Sequence, residues 1–349
     1  MKKALIFSYS KNVGHLAHVV GYYKLFETLG FRSLACVQKN TQAYLPDDIN
    51  VYKRADDASD VGVVLFYSAS LKNFLKILKY RIKKNCIVLY VFHEPMSTVM
   101  SYYRAGFPIK TVLLYFIEDL YERLCIMASK HVILSSQNAI SNYEIGSYKK
   151  YNSTVSYIPL LFDDKMPFFS GCERKYFSYI GTIAADHSFN EFLSFVLYAI
   201  KEKRMVPLKF LIATSSDFIV PVELQNNDRV IIKKGRYLTD EEIDKCYAET
   251  KIIWNAYIRM TQSGVLARSF MFGTPAIILK KNLSEFTVDG QEVAVIDDNT
   301  SFEEIEKAVY TILSNFDYYS KAARKRFEDT FFYVKYKNAM KKILSNENN

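Results

Sequence analysis

Short β-branched or apolar runs alternate with stretches of helical period along this chain, in two separate series, and no other feature restricts the fold as much. In the first series Ala4–Tyr9, Phe31–Gln38, Val61–Tyr67, Cys86–Phe92 and His131–Ser135 read as strands. Helices are expected at His15–Leu29, Leu71–Lys83 and Thr111–Ser129, and Gly30 stands where the first of them needs a left-handed stop. The second series has strands at Phe177–Ile180, Leu208–Ala213, Val230–Lys233, Ile252–Asn255, Pro275–Leu279 and Glu292–Ile296. Its helices are expected at Phe189–Lys201, Asp240–Glu249, Val265–Phe272 and Thr300–Leu313. Between the series, Ser156–Phe169 carries two prolines and the acidic pair Asp163–Asp164, and reads as a linker.

Strand–helix alternation of this kind implies parallel sheets with helices on both faces. The 349 residues exceed what one core usually holds, about 250–300. The expected class is therefore α/β, with doubly wound domains over residues 1–160 and 161–320. A helical tail, 321–349, is expected to pack back on the first domain. Ligands of such sheets bind at the carboxyl ends of the strands, so a cleft between facing domains is the expected site.

A net charge of +9 favours anionic partners without choosing among them. The basic residues are dispersed and no recognition motif accompanies them, which argues against nucleic acid. Five scattered cysteines, none in a CxxC pair, exclude a disulfide framework and fit a reducing cytoplasm. His15 and His18 lie three apart on a helix with no third ligand near them in sequence, so no metal is expected. The apolar run at the start is broken by Ser10 and Lys11, too soon for a secretory signal, and no stretch reaches the ~18 apolar residues of a membrane span. The segment Leu71–Lys84 places Lys72, Lys76, Lys79, Arg81, Lys83 and Lys84 among leucines, isoleucine and phenylalanine. It suits either an anionic membrane surface or an ordinary position over a sheet. Phe107–Tyr121 offers further apolar contact, or is likewise a covering helix.

Chemistry-bearing residues gather where strands give way to helices. In "TQSGVLARSFMFGTPAII", Thr261–Ile278, a helix begins at Gly264 behind Gln262 and Ser263. The unpaired N–H groups of such a start bind anions, and Gly264 allows close approach. Ser263 as a plain helix cap is the equal alternative. Arg259 and Arg268 stand near enough in sequence to add charge. "YIGT" ends a strand in Gly181, "VFHEP" delivers His93 and Glu94 at the end of another, and Asp289-Gly290 makes a turn after Glu285. Gly14 lies between the first strand and first helix, without the spacing of a dinucleotide fingerprint.

Taken in order, these pieces resemble the retaining glycosyltransferases of the large family (family 4, group 1 type) that builds bacterial surface glycans. The matching positions are Asn12-Val13-Gly14-His15, His93-Glu94-Pro95, Tyr179-Ile180-Gly181, Gly235 to Leu238 ahead of "TDEEI", Gly273-Thr274-Pro275, and Glu285 with Asp289-Gly290. The resemblance implies the GT-B fold, two Rossmann-like domains facing a cleft. It also implies a nucleotide-sugar donor held by the second domain, and a saccharide or lipid-linked saccharide acceptor at the first, near His15 and His18. It further implies no essential metal, and a cytoplasmic protein reaching the inner face of the plasma membrane. His93 and Glu94 become the catalytic candidates. Gly14, Gly181, Thr182, Gly235, Arg236, Leu238, Tyr257 and Glu285 become donor contacts.

Two departures redirect that assignment. The family's paired acids fall at Met260 and Arg268, and its diphosphate-holding Arg and Lys fall at Thr182 and His187. The diphosphate then passes to Gln262, Ser263 and the backbone of Gly264 and Val265, with Arg259 or Arg268 supplying charge. The stereochemical outcome stays open. A non-catalytic binding subunit is the main alternative, and a sugar-nucleotide epimerase a lesser one.

Overall fold

The computed structural model describes residues 1–9, 13–53, 60–83, 86–93, 103, 107–258 and 263–346. The chain divides into two units, Met1–Asp163 with Phe331–Asn349, and Asp164–Thr330. The sequence had suggested breaks after 160 and 320. The first falls three residues later. The second falls ten residues later, so the helix Phe316–Thr330 lies wholly in the second unit, while Lys337–Asn346 belongs to the first.

The first unit carries six strands, β1 (Lys3–Ser8), β2 (Arg32–Val37), β3 (Val61–Phe66), β4 (Ile87–Phe92), β5 (His131–Leu134) and β6 (Val155–Tyr157). They run parallel in the order β2-β1-β3-β4-β5-β6. Strands β3, β4 and β5 are buried at every position, as expected of a sheet covered on both faces. The helices Leu16–Thr28, Leu71–Arg81 and Ile109–Ala128 fall close to the expected ranges. Gly30 takes a φ of 83° and its N–H bonds Glu27 O, closing the first helix as its position implied.

Two elements of this unit correct the sequence reading. A helix at Gln137–Ile145, capped by Ser136, was not anticipated, and the supposed linker opens with β6. Its following residues Ile158, Leu160, Leu161 and Phe162 are buried, because they cross the helix Leu16–Thr28 at Gly21. A Cβ on Gly21 would lie 2.4 Å from the Leu161 carbonyl oxygen, so only glycine fits. Phe162 then exchanges backbone hydrogen bonds with Phe331 and Tyr333, which ties the end of the chain to this unit.

The second unit repeats the plan with β7 (Tyr176–Ile180), β8 (Lys209–Ala213), β9 (Val230–Lys233), β10 (Thr250–Trp254), β11 (Ala276–Leu279) and β12 (Val293–Ile296). The parallel order is β12-β11-β10-β7-β8-β9. Its core is aromatic, with Phe177, Phe192, Phe195, Phe210 and Trp254 in edge-to-face or tilted contact. The helix Gly264–Met271 stops where Gly273 takes a φ of 63°. Arg174 donates to the carbonyls of Phe272 and Gly273, and Arg324 to that of Met271. Two cations therefore face the negative end of this short helix and fix its axis.

Gly21→Ala should lower the unfolding free energy by about 3 kcal/mol, since a backbone carbonyl has nowhere to retreat. Urea denaturation measures this, and an unchanged midpoint would show that the crossing is looser than the geometry requires.

Candidate functional site

In the second unit the carboxyl ends of β7 and β10 and the start of the helix Gly264–Met271 come together. Ser263 is that helix's cap, accepting the N–H of Leu266 at 3.1 Å. Its oxygen also accepts Asn255 Nδ2 at 3.1 Å, from just beyond β10. With both lone pairs engaged, the Ser263 proton is available only for donation. The cap and the anion-site readings of this residue are thus compatible. The N–H groups of Gly264 and Val265 lie ahead of the first ladder bond, in the turn that carries the helix's partial positive charge.

Gly181 faces this turn from the end of β7. Its φ is 141°, a region closed to residues with a side chain. The position a Cβ would take lies 3.5 Å from Val265 Cγ2 and 3.8 Å from the Tyr257 hydroxyl. Tyr257 is only 4% exposed. Burial pushes its phenol well above the ordinary range, with Asp186 adding to the rise and neighbouring Asn255 partly offsetting it. The group is therefore a neutral donor. Although Asn255 stands beside it, Tyr257 Oη and Asn255 Oδ1 have no partner at hydrogen-bonding geometry among the described residues. A buried hydroxyl left in this state is costly unless a ligand completes it.

His187 stacks flat on Tyr257, with centroids 4.3 Å apart and planes at 10°. Its Nδ1 donates to the Thr182 carbonyl at 2.7 Å, which fixes the tautomer. Nε2 lies 3.9 Å from Asp186, whose own carbonyl accepts the Ile258 N–H. Thr182 itself is exposed, and contributes through its carbonyl.

Other assigned residues lie elsewhere around this edge. Gly235, with a φ of 76°, Arg236 and Leu238 follow β9. Arg236 grips Glu242, which closes a capping box with Thr239. Glu285 is exposed in the turn after β11. This turn is held by Glu292, which accepts Val288 N–H and pairs with Arg326. Arg268 corrects the sequence expectation. Its guanidinium is buried between Asp244 and Asp240 and over Tyr247, so its charge is already matched and does not serve an anion at Gly264. Arg259, Gln262 and Glu94 lie outside the described residues.

The first unit has its own assembly at the strand ends. His15, His18 and His93 surround Tyr67, with ring centroids 5.4, 5.6 and 6.2 Å from it, and Phe162 closes on His18 at 4.7 Å. Ser135, beyond β5, donates to the His93 carbonyl at 2.9 Å and orients it. Gly14 lies in the single 3-10 turn Val13–His15 that delivers His15. Among the described residues no three His, Cys, Asp or Glu side chains gather as metal ligands do. Tyr67, Ser135, Asn255 and Asp186 went unassigned in the sequence. Their one signal was position, each at or just beyond the end of a strand or on the loop that follows.

Neither a protein-family model nor a curated relative matches this sequence. Solved structures do. Sucrose-phosphate synthase from Thermosynechococcus elongatus superposes with a TM-score of 0.64 at 13% identity, covering 99% of each chain. HepE from Anabaena, in complex with UDP and glucose, gives 0.63 at 11% identity over 99% of this chain and 100% of that one. A glycosyltransferase from Rickettsia africae gives 0.62 at 12%, covering 99% and 98%. At such identities the likeness establishes the fold, which is GT-B.

Ser263→Ala should cost about 2 kcal/mol, because it removes the cap and strands the buried Asn255 amide. Ser263→Thr should restore most of it. If thermal unfolding of Ser263→Ala matches wild type, the Asn255–Ser263–Leu266 relay is not structural.

Proposed function

We propose that this protein is a glycosyltransferase. It moves a sugar from a nucleotide-sugar donor to a saccharide or lipid-linked saccharide acceptor in bacterial surface-glycan synthesis, with no essential metal. The observation that carries the reading is the cradle at Gly181. Val265, in the first turn of the helix that Ser263 caps, and the buried Tyr257 hydroxyl, which has no hydrogen-bond partner among the described residues, both lie against Gly181. That set suits a diphosphate and little else of comparable size. The GT-B fold adds support, as does HepE, whose structure holds UDP and glucose.

Glycosyl transfer breaks the bond between the anomeric carbon and the diphosphate, so negative charge grows on the departing oxygens. Fixed N–H and O–H donors at that position stabilise the charge as it forms, without reorganising. Val265 and Gly264 supply backbone N–H groups, Tyr257 and Ser263 supply hydroxyls, and His187, stacked on Tyr257, stands beside them. Thr182 positions His187. The loop of Gly235, Arg236 and Leu238 meets the base, and Glu285 the ribose or sugar hydroxyls. Gln262 and Arg259 are assigned to the donor by the sequence alone. In the first unit the resemblance assigns His93 and Glu94 to catalysis, and the aromatic wall of His15, His18 and Tyr67 is the proposed acceptor surface.

The runner-up is a GT-B subunit that binds a sugar nucleotide without turning it over. It is favoured by Arg268, which stands buried and ion-paired where the resembled family has an acid.

A nucleotide at about 100 times its Kd adds about 2.7 kcal/mol to stability, enough to raise the melting temperature by several degrees. Of UDP, GDP, CDP and ADP, one should do so, and chelator should leave the shift intact. Silence from all four removes the donor site. Tyr257→Phe keeps the stack on His187 and deletes one donor, so calorimetry should give about tenfold weaker binding of that nucleotide. Equal affinity would take Tyr257 out of the site. Binding without transfer or donor hydrolysis would select the runner-up.

A further inference from the structure

Asn255 is completely buried just beyond β10, and its N–H carries the ladder on to the Ile277 carbonyl at 2.9 Å. Its side chain joins two parts of the edge. Nδ2 donates to Ser263 Oγ at 3.1 Å, and the phenol of Tyr257 stands beside the same amide. Tyr257 is itself fixed, its carbonyl by Asn282 Nδ2 and its ring by the stack on His187. Yet Asn255 Oδ1 and Tyr257 Oη have no partner at hydrogen-bonding geometry among the described residues.

Stability does not account for this arrangement. Ser263 caps the helix through the Leu266 N–H without help, and a buried amide whose oxygen goes unmatched is destabilising. The direction of two protons does account for it. A serine oxygen has two lone pairs and one proton. The Leu266 N–H fills one lone pair of Ser263 and Asn255 Nδ2 fills the other, so the proton turns away from both. A carboxylate in place of the amide would do the reverse and accept that proton inward. At the other end of the amide, Oδ1 is a neutral acceptor beside the phenol. An anion against Gly181 is a stronger acceptor, because hydrogen bonds to charged oxygens are about twice as strong as neutral ones. The phenol therefore gives its proton to a charged ligand and keeps it from a neutral one.

We propose that Asn255 is a positioning residue that makes this edge select a diphosphate over an uncharged ligand. Nδ2 holds the Ser263 proton outward, and Oδ1 reserves the Tyr257 proton for an anion. The inference rests on the reading of the Gly181 edge as the donor site.

Calorimetry with inorganic pyrophosphate tests the amide without requiring a nucleotide. Wild type should bind pyrophosphate. At about pH 8, Asn255→Asp should bind it at least about tenfold more weakly, because the carboxylate takes the Ser263 proton and adds negative charge. Burial raises the new carboxyl, so at about pH 5 it is neutral and again carries a donor and an acceptor, and the deficit against wild type should shrink to about threefold or less. Tyr257 stays neutral across this range, and Asp186 and His187, common to both proteins, cancel in the ratio. Ser263→Ala separates proton direction from charge and packing. It should weaken pyrophosphate binding about fivefold in wild type and leave Asn255→Asp unchanged at about pH 8. Asn255→Leu, neutral and similar in size, carries the same comparison if Asn255→Asp does not melt cooperatively, and there Ser263→Ala should weaken binding by less than about half the wild-type factor. The proposal is overturned if Asn255→Asp binds as wild type does in the alkaline buffer, if its deficit is the same in the acidic one, or if Ser263→Ala has the same effect in both backgrounds. Wild type binding pyrophosphate but none of UDP, GDP, CDP and ADP removes the donor reading while the amide is still read; binding of neither removes both.

Discussion

A parallel sheet sends all its strands to one edge, and both candidate sites of this molecule depend on that constraint. Parallel pairing runs through β7 to β12, buried at most positions except on the edge strand β9, and it delivers each strand's last residues to the same side. Gly181, Tyr257 and Ser263 are far apart in sequence, and none is chemically unusual. They form the candidate site because β7 and β10 are neighbours and because one short helix follows β10. The first unit uses the same constraint differently. There the edge gathers rings, His15, His18, Tyr67 and His93, and so builds a wall instead of an anion cradle.

The cradle is held from behind. Arg174 and Arg324 secure the last carbonyls of the helix whose first turn lies beside Gly181. At the other end Asn255 fixes the cap. A helix of eight residues has little stability of its own, so both ends have to be anchored for its N–H groups to point consistently. This explains the abruptness of "FMFGTP". Gly273 lets the chain reverse at once, and Thr274 N–H returns to the Ser269 carbonyl within the same turn. The stop is part of the site because it sets the helix length, and the length sets where the start lies.

The alternation and most helix positions were legible in the sequence because they follow from hydrophobic period alone. What was not legible depended on contacts between distant residues. The stretch after β6 read as a linker because Pro159 and two aspartates outweighed its apolar residues, yet Ile158, Leu160, Leu161 and Phe162 are buried through Gly21, about 140 positions earlier in the chain. That figure is sequence distance only, and no local pattern records it. Arg268 read as a phosphate cation because its helix start looked like an anion site. Its partners Asp240 and Asp244 sit on another helix, and the pairing that neutralises it is invisible without the fold. Gly181, in contrast, was legible for a physical reason, since a glycine closing a buried strand seldom has a role other than backbone freedom.

Arg268 also bears on how the site can have diverged while its frame stayed intact. A buried cation between two carboxylates is stable only as a set, since removing one partner leaves an uncompensated charge. Asp244 is the more buried of the two acids and is pushed up by desolvation, with Arg268 drawing it back. An acid at position 268 would instead put three carboxylates together. The arginine and the pair Asp240–Asp244 are therefore mutually required, and the acid that the resembled family carries there is excluded by this chain's own neighbouring helix. On the proposed donor reading, contacts to the donor's hydroxyls come from other groups on the edge. On that reading the candidate carboxylate is Glu285, which is exposed in a turn whose frame is fixed by Glu292 and Arg326.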